Sequence, residues 1–268
     1  MGTRIGLIAG SGGFPLEALE EAKRLGYDCV VAGLRGEAVP DLEAQAPAFE
    51  WFELGEIQKL AAFFLKQDVR EVVMIGKVDP RAIYTKPGMD DSAGKILARV
   101  KDKTPTSLLR ALIEFLEGQG ISIKDPTFLI QTHLYPEGVL TAVPPTPDVL
   151  ADIYFGWTIA KTLADLDLGQ TVVIKDRAVV AVEGMEGTDE TIKRGGRLAG
   201  KGIVVVKVGR SVQNTRIDVP AAGIVTLRNL VRVKAAALCI EAGKVPLFQK
   251  DEVIGLAQAN GIAVIVKK

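Results

Sequence analysis

A short apolar run, Ile5 to Ala9, breaks into Gly10-Ser11-Gly12-Gly13-Phe14-Pro15 and then into a helical pattern through Leu16, Leu19, Ala22 and Leu25 that Gly26 closes. The succession reads as strand, glycine-rich turn and helix, with Pro15 in the first helical turn, where a missing N–H is no loss. Free backbone N–H groups in such a turn can cradle a diphosphate, which makes Gly10, Ser11, Gly12 and Gly13 candidate nucleotide-binding residues. The alternative is that the glycines only make a tight turn. A dinucleotide fingerprint would want a third glycine at position 15, where the chain has Pro15. The second strand, Cys29 to Ala32, runs into Gly33-Leu34-Arg35 without an acid to hold a ribose. Arg35 keeps a 2′-phosphate open, but a nucleotide-diphosphate loop of another kind fits better than a nicotinamide site.

The same grammar continues. Glu56 to Leu65 is an amphipathic helix, and Glu71 to Ile75 is a buried parallel strand that breaks into Gly76-Lys77-Val78. Open sheets bind ligands at such breaks, so Gly76, Lys77 and Val78 join the candidates, with Lys77 either facing phosphates or simply solvated. Asp79 to Lys95 is punctuated by Pro80, Pro87, Gly88 and Gly94; its Asp90 and Asp91 read as caps of the next helix rather than cation ligands. Thr104-Pro105 opens a helix through Leu108, Leu112 and Leu116. Tyr135 to Pro147, with Pro136, Pro144, Pro145 and Pro147, reads as a stiff extended tether. The expected domains are 1–134 and 148–268, joined by 135–147.

In the second half, Asp148 is expected to cap a helix that packs Val149, Ile153, Trp157 and Ala160 on one face, although Tyr154, Phe155 and Trp157 would also suit an acyl-chain groove. Thr171 to Ile174 and Ala178 to Glu183 form a hairpin about Lys175-Asp176-Arg177. In Glu186-Gly187-Thr188-Asp189, Thr188 or Asp189 caps the helix that follows and leaves anion-binding N–H groups. Ile203 to Val206 is a buried strand. If Thr215 to Val219 is extended, Thr215, Ile217 and Val219 share one face and Arg216 and Asp218 the other, at a strand end set by Pro220. That pair is either an ordinary surface ion pair or the centre of hydrolytic chemistry on a phosphate. Leu227 to Lys234 is a helix, Ala237 to Glu241 and Lys244 to Phe248 are strands, and a last helix and strand follow, so the second half mixes strands and helices around its own core.

Across 268 residues, 33 basic side chains balance 33 acidic ones, without a bias toward polyanions, so nucleic acid is not an expected partner. Cys29 and Cys239 are too isolated for a zinc knuckle or redox pair, and a reducing cytoplasm is the expected compartment. Neither a signal peptide nor an 18-residue apolar run is visible. His133 is the one histidine, so a hydrolytic metal would be held mainly by oxygens, which favours magnesium or manganese over zinc.

The segments Gly6 to Gly12, Gly76-Lys77-Val78, Leu108-Leu109-Arg110, Gly169-Gln170, Glu186-Gly187-Thr188-Asp189 and Thr215-Arg216-Ile217-Asp218-Val219-Pro220, in this order over nearly the whole chain, resemble the LpxI-type UDP-2,3-diacylglucosamine pyrophosphatases of the Gram-negative lipid A pathway. The last two motifs at this spacing are the specific ones. Pro105-Thr106-Ser107 departs from the adjacent acids that members tend to carry before Leu-Leu-Arg. The resemblance implies a magnesium-dependent hydrolase that converts UDP-2,3-diacylglucosamine to UMP and 2,3-diacylglucosamine 1-phosphate. It also implies a Rossmann-like N-terminal domain, a C-terminal α/β domain, substrate held between them, and a homodimer, with contact to the inner membrane left open. Asp218 is then the first choice as magnesium ligand, with Asp189 behind it. Arg216 and Lys207 offset phosphate charge, and Gln170, Gly187 and Thr188 line the substrate. A non-catalytic nucleotide-sugar sensor and an NADP-linked oxidoreductase are the competing classes.

Overall fold

The opening apolar run forms β1 (Arg4–Ala9), flanked in parallel by β2 (Asp28–Leu34) and, beyond the latter, β3 (Ala48–Phe52). On its other side lie β4 (Glu71–Ile75) and the two-residue β5 (Ser122–Ile123), also parallel. The order β3-β2-β1-β4-β5 is that of a doubly wound sheet. β1 and β2 are buried on both faces, which is why they read as unbroken apolar runs. This computed structural model describes residues 3–79, 88–102, 104–212 and 214–268. Of the punctuated segment, Pro80 and Pro87 lie outside the described residues.

Helices of this first unit include α1 (Phe14–Arg24), α2 (Asp41–Gln45), α3 (Ile57–Lys66), α4 (Asp91–Arg99) and α5 (Pro105–Gly118). Leu60, Phe64, Ile113 and Leu116 from α3 and α5 pack with Ile8, Val30 and Val72 of the strands into one core. Asp90 caps α4 as expected, accepting from the N–H of Ala93 at 2.9 Å and also from that of Gln58 at 2.7 Å. Thr104 caps α5 through the N–H of Ser107 at 3.2 Å.

The second unit is built on a six-stranded mixed sheet: β6 (Gly138–Val139), β7 (Thr171–Lys175), β8 (Ala178–Val182), β9 (Val204–Lys207), β10 (Ala237–Glu241) and β11 (Ala263–Lys267) in the order β6-β11-β10-β9-β7-β8. β9, β10 and β11 are parallel, and the remaining pairings are antiparallel. Period-2 alternation splits this sheet between two cores. Val205, Leu238 and Val264 meet Leu227 and Leu230 on one face; Val204, Val206 and Cys239 meet Ile153 and Ala160 on the other. The helices that supply those layers are α6 (Pro147–Asp165), α7 (Gly187–Ala199), α8 (Ile224–Arg232) and α9 (Lys250–Ala259). The β7–β8 hairpin turns at Asp176 and Arg177, both left-handed at φ 50° and 57°, and the buried Asp152 carboxylate of α6 accepts both of their N–H groups. Burial pushes the Cys29 thiol up to about 11 and the Cys239 thiol up to about 12, so both are inert small hydrophobes.

Three expectations are corrected here. The proline-rich stretch 135–147 is not a free tether: β6 adds to the edge of β11, Leu140 donates to Val264 O at 2.8 Å, and Thr141 is buried. Paired backbone outweighs the stiffness of the neighbouring prolines. Thr146 rather than Asp148 caps α6, accepting from the N–H of Val149, because Pro147 takes the first helical position and moves Asp148 inside the turn. Lys244 to Phe248 forms a turn after β10, with a single bridge between Leu247 and Ala222, not a strand.

Candidate functional site

In the first unit the two predicted breaks meet. Gly10 donates to Ile75 O at 2.8 Å, Ser11 donates to Lys77 O at 2.7 Å, and Lys77 returns a bond to Ser11 O at 3.0 Å, so the ends of β1 and β4 are stitched together. A Cβ on Gly10 would lie 2.9 Å from the carbonyl carbon of Lys77 and closer still to its oxygen, which is why the position needs glycine. The N–H groups of Gly10 and Ser11 are therefore spent within the protein. What the loop offers an anion lies at Gly12, left-handed at φ 98°, and at Gly13, the N-cap of α1, where the helix dipole favours negative charge. Lys77 and Gly76 are exposed beside them, and Val78 packs against the core. Arg35 faces Glu53 at 3.7 Å and lies over the Trp51 ring.

In the second unit the carboxyl edge of the sheet gathers polar side chains. Lys207 ends β9, opposite Thr171 at the start of the antiparallel β7, and Glu183 follows β8 with its N–H on Thr171 O at 2.9 Å. Lys207 is 3% exposed; its ammonium donates to the Thr188 hydroxyl at 2.7 Å and the Thr171 hydroxyl at 3.3 Å. Thr188 in turn donates to Glu183 Oε1 at 2.8 Å, and the Gln170 N–H donates to Oε2 at 3.1 Å. Burial pushes the Glu183 carboxyl up, yet the Lys207 ammonium, the Thr171 and Thr188 hydroxyls and the Gln170 N–H outweigh it and hold it below the usual carboxylate range. Asp189 accepts from the Asn229 side chain at 3.0 Å. Contrary to the expectation from sequence, neither Thr188 nor Asp189 is the cap. Glu186 is the N-cap residue of α7, and both lie inside the first turn, where lateral partners claim them.

The stretch 214–218 is a turn rather than a strand: Ile217 and Asp218 both donate to Asn214 O, at 2.9 and 3.3 Å. Arg216 and Asp218 therefore do not share a strand face. This stretch groups with the first unit, although the chain on both sides of it belongs to the second. Thr215 donates to Asp125 Oδ2 at 2.5 Å, Arg216 pairs with Glu117 at 3.0 Å, and Ile217 packs on the first-unit core. Thr215, Arg216 and Ile217 thus serve as anchors, and Asp218 is the carboxylate they carry.

Asp125 was invisible in the sequence. A lone acid before a Pro-Thr pair has no motif; its role as a cap of the 3-10 turn Pro126–Leu129 was the one readable signal. Burial pushes its carboxyl up, but the Thr215 hydroxyl, Thr127 and the charge of Arg216 outweigh this and hold it below the usual range. With the folded value below the unfolded one, its stabilisation is complete above about pH 4 and is lost as pH falls through the folded value. Asp125→Asn is expected to lower Tm at neutral pH and to flatten its fall in acid. Melting curves from about pH 2 to pH 7 test this, and parallel acid limbs in variant and parent would overturn it.

The structure brings Gly10 to Gly13 together with Gly76 to Val78 in the first unit, and Gln170, Gly187, Thr188 and Lys207 together in the second, with Asp189 beside Thr188. Asp218 and Arg216 belong with the first unit. Among the described residues, no three histidine, cysteine, aspartate or glutamate side chains converge into a group that could hold a metal ion, and no helix is long and apolar enough to cross a membrane.

Two family models match this chain, one described as the LpxI N-terminal domain over residues 4–133 and one as the LpxI C-terminal domain over residues 136–265. UDP-2,3-diacylglucosamine pyrophosphatase LpxI of Caulobacter vibrioides is 29% identical over 273 residues, covering 98% of this chain and 96% of the relative. Among solved structures, the biotin carboxylase subunit of pyruvate carboxylase matches 74% of this chain and 42% of its own at 13% identity, with a TM-score of 0.29, too low to inform the fold.

Proposed function

Because this chain belongs to the LpxI family, we propose that it is a pyrophosphatase that hydrolyses UDP-2,3-diacylglucosamine to UMP and 2,3-diacylglucosamine 1-phosphate in lipid A synthesis, with magnesium. The observation that carries this reading is the family match through both halves of the chain, together with a full-length relative named for that substrate. A cytoplasmic homodimer, peripheral to the inner membrane, belongs to the same proposal.

In this reading the N-terminal end of α1, with Gly12 and Gly13, takes a phosphate through backbone N–H groups, and Lys77 adds charge nearby. Asp218, fixed by the anchoring of Thr215, Arg216 and Ile217, holds the metal. Because no three histidine, cysteine, aspartate or glutamate side chains converge among the described residues, magnesium would rely on one or two carboxylates, with substrate phosphates and water completing its shell. When bound, the metal neutralises charge on the diphosphate and lowers the barrier to attack by water. Asp189, in the second unit, accepts from Asn229 and is the other carboxylate the sequence offers. Arg216 spends Nη1 on Glu117 and would offset phosphate charge through its other N–H donors.

Incubation of the protein with UDP-2,3-diacylglucosamine, with and without magnesium, is expected to release UMP only with the metal. Binding of the nucleotide sugar without release would favour the sensor instead, and equal release in the presence of a chelator would remove the metal from the proposal.

A further inference from the structure

Four features singled out separately in the sequence, Gly169-Gln170, Thr171, Thr188 and Lys207, converge on a residue that none of the motifs contains. Gly169 lies against the backbone of Glu183: a Cβ there would sit 2.7 Å from the Glu183 carbonyl carbon and closer to its oxygen. Gln170 donates its N–H to the Glu183 carboxylate, and Thr171 O accepts the Glu183 N–H. The proton arrangement around Thr188 is forced. An ammonium only donates and a carboxylate only accepts, so the Thr188 hydroxyl must accept from Lys207 and give its single proton to Glu183.

The geometry points to Glu183 as a positioning residue for the proposed hydrolysis. It balances the buried Lys207 ammonium and locks the Thr188 hydroxyl in one orientation, and so fixes the first turn of α7, from Gly187 to Asp189. First, Lys207 is almost wholly buried, and a buried ammonium is tolerated only with a charged, hydrogen-bonded partner close by. Secondly, the Glu183 carboxylate is held ionised against its own burial, so the balance of charge holds at neutral pH. Thirdly, the approach to Glu183 is secured again by Glu186, which accepts the Gly184 N–H at 3.2 Å and pairs with Arg194 at 2.5 Å, while Arg194 also donates to Val182 O at 2.7 Å. The loop from β8 to α7 is thus tied at both ends, and Asp189 is carried on the turn it delivers. Glu183 does not need to touch substrate; it acts through Thr188 and Lys207.

The inference rests on the hydrolase reading, and its test separates the two. The variants are Glu183→Gln, which keeps shape but removes charge, Lys207→Met, and the double substitution, each measured for Tm, kcat and KM with UDP-2,3-diacylglucosamine. Either single change leaves a buried charge uncompensated and is expected to lower Tm by about 10 °C. Glu183→Gln is expected to lower kcat about 100-fold, the cost of a misplacement on the order of 1 Å, with KM within about threefold of the parent. In the double variant Tm recovers because no charge is stranded, whereas kcat stays low because the turn is no longer fixed. A purely structural pair would give kcat back together with Tm. That result, or near-normal kcat in Glu183→Gln, overturns the positioning role while the hydrolase reading stands. Failure of the wild-type protein to release UMP overturns both.

Discussion

Asp218→Ala is expected to fold like the parent, still bind UDP-2,3-diacylglucosamine, and turn it over at least about 1,000-fold more slowly. The metal's charge stabilisation is worth several kcal/mol, and each ~1.4 kcal/mol is tenfold in rate. Folding should survive because the anchors of this turn are other groups: Thr215 on Asp125, Arg216 on Glu117, Ile217 in the core, and the backbone bonds to Asn214 O, which alanine keeps. Arg216 pairs with Glu117 at 3.0 Å. Binding persists because the glycine turn of α1 is untouched, and the variant should accumulate as a substrate complex. Single-turnover assays with a nucleotide-sugar binding measurement check this. Retention of more than about a tenth of the parent rate, less than one ~1.4 kcal/mol step, would remove Asp218 from the chemistry.

Gly10→Ala is expected to be the most destabilising single methyl in the first unit, by about 3 kcal/mol. The added carbon has no side chain to push aside; its neighbours are the carbonyl and amide of Lys77, which are themselves bonded to Ser11. Relief requires separating the ends of β1 and β4, with loss of the stitched turn and of nucleotide affinity. Gly12 makes the control. A Cβ there meets nothing within 4 Å, so Gly12→Ala strains only its left-handed backbone, at about 1 kcal/mol. Chemical denaturation of the two variants should separate them by a clear margin, and equal midpoints would show that the close approach at Gly10 is not rigid.

Much of the frame was legible because it obeys simple periods. β1, β2 and β4 are continuous apolar runs ended by glycine or polar residues, and β9, β10 and β11 likewise, because parallel strands covered on both faces leave no alternation to misread. The edge strands β5 and β6 were not legible, since two residues carry no period. Thr215 to Val219 misled for a physical reason. Five residues that alternate by chance match a strand, while the actual conformation is set by Asp125 and Glu117, 90 and 99 residues away in sequence. Thr188 and Asp189 misled in the opposite sense. Both are good capping residues, but side-on partners, Lys207 with Glu183 and Asn229, use their oxygens instead. The candidate residues were found by motif, and the acids that hold them, Asp125, Glu117 and Glu183, were missed because such an acid's role depends on neighbours that only the fold supplies.

The grouping of residues 214–218 with the first unit has a consequence for how the protein comes into being. At roughly 5–20 residues per second, a ribosome that has just made Asp125 needs about 5–20 s to deliver Thr215. During that interval the Asp125 and Glu117 carboxylates face water without the hydroxyl and guanidinium that later satisfy them. The first unit therefore cannot reach its finished form before residues 214–218 emerge, however early its sheet assembles. Its last turn, and with it the carboxylate proposed for catalysis, arrives only after α6, α7 and the strands through β9 have left the ribosome. Expressing the two family-model segments as separate polypeptides would place Asp125 on one chain and Thr215 on the other, converting a loop closure into a bimolecular step that depends on concentration.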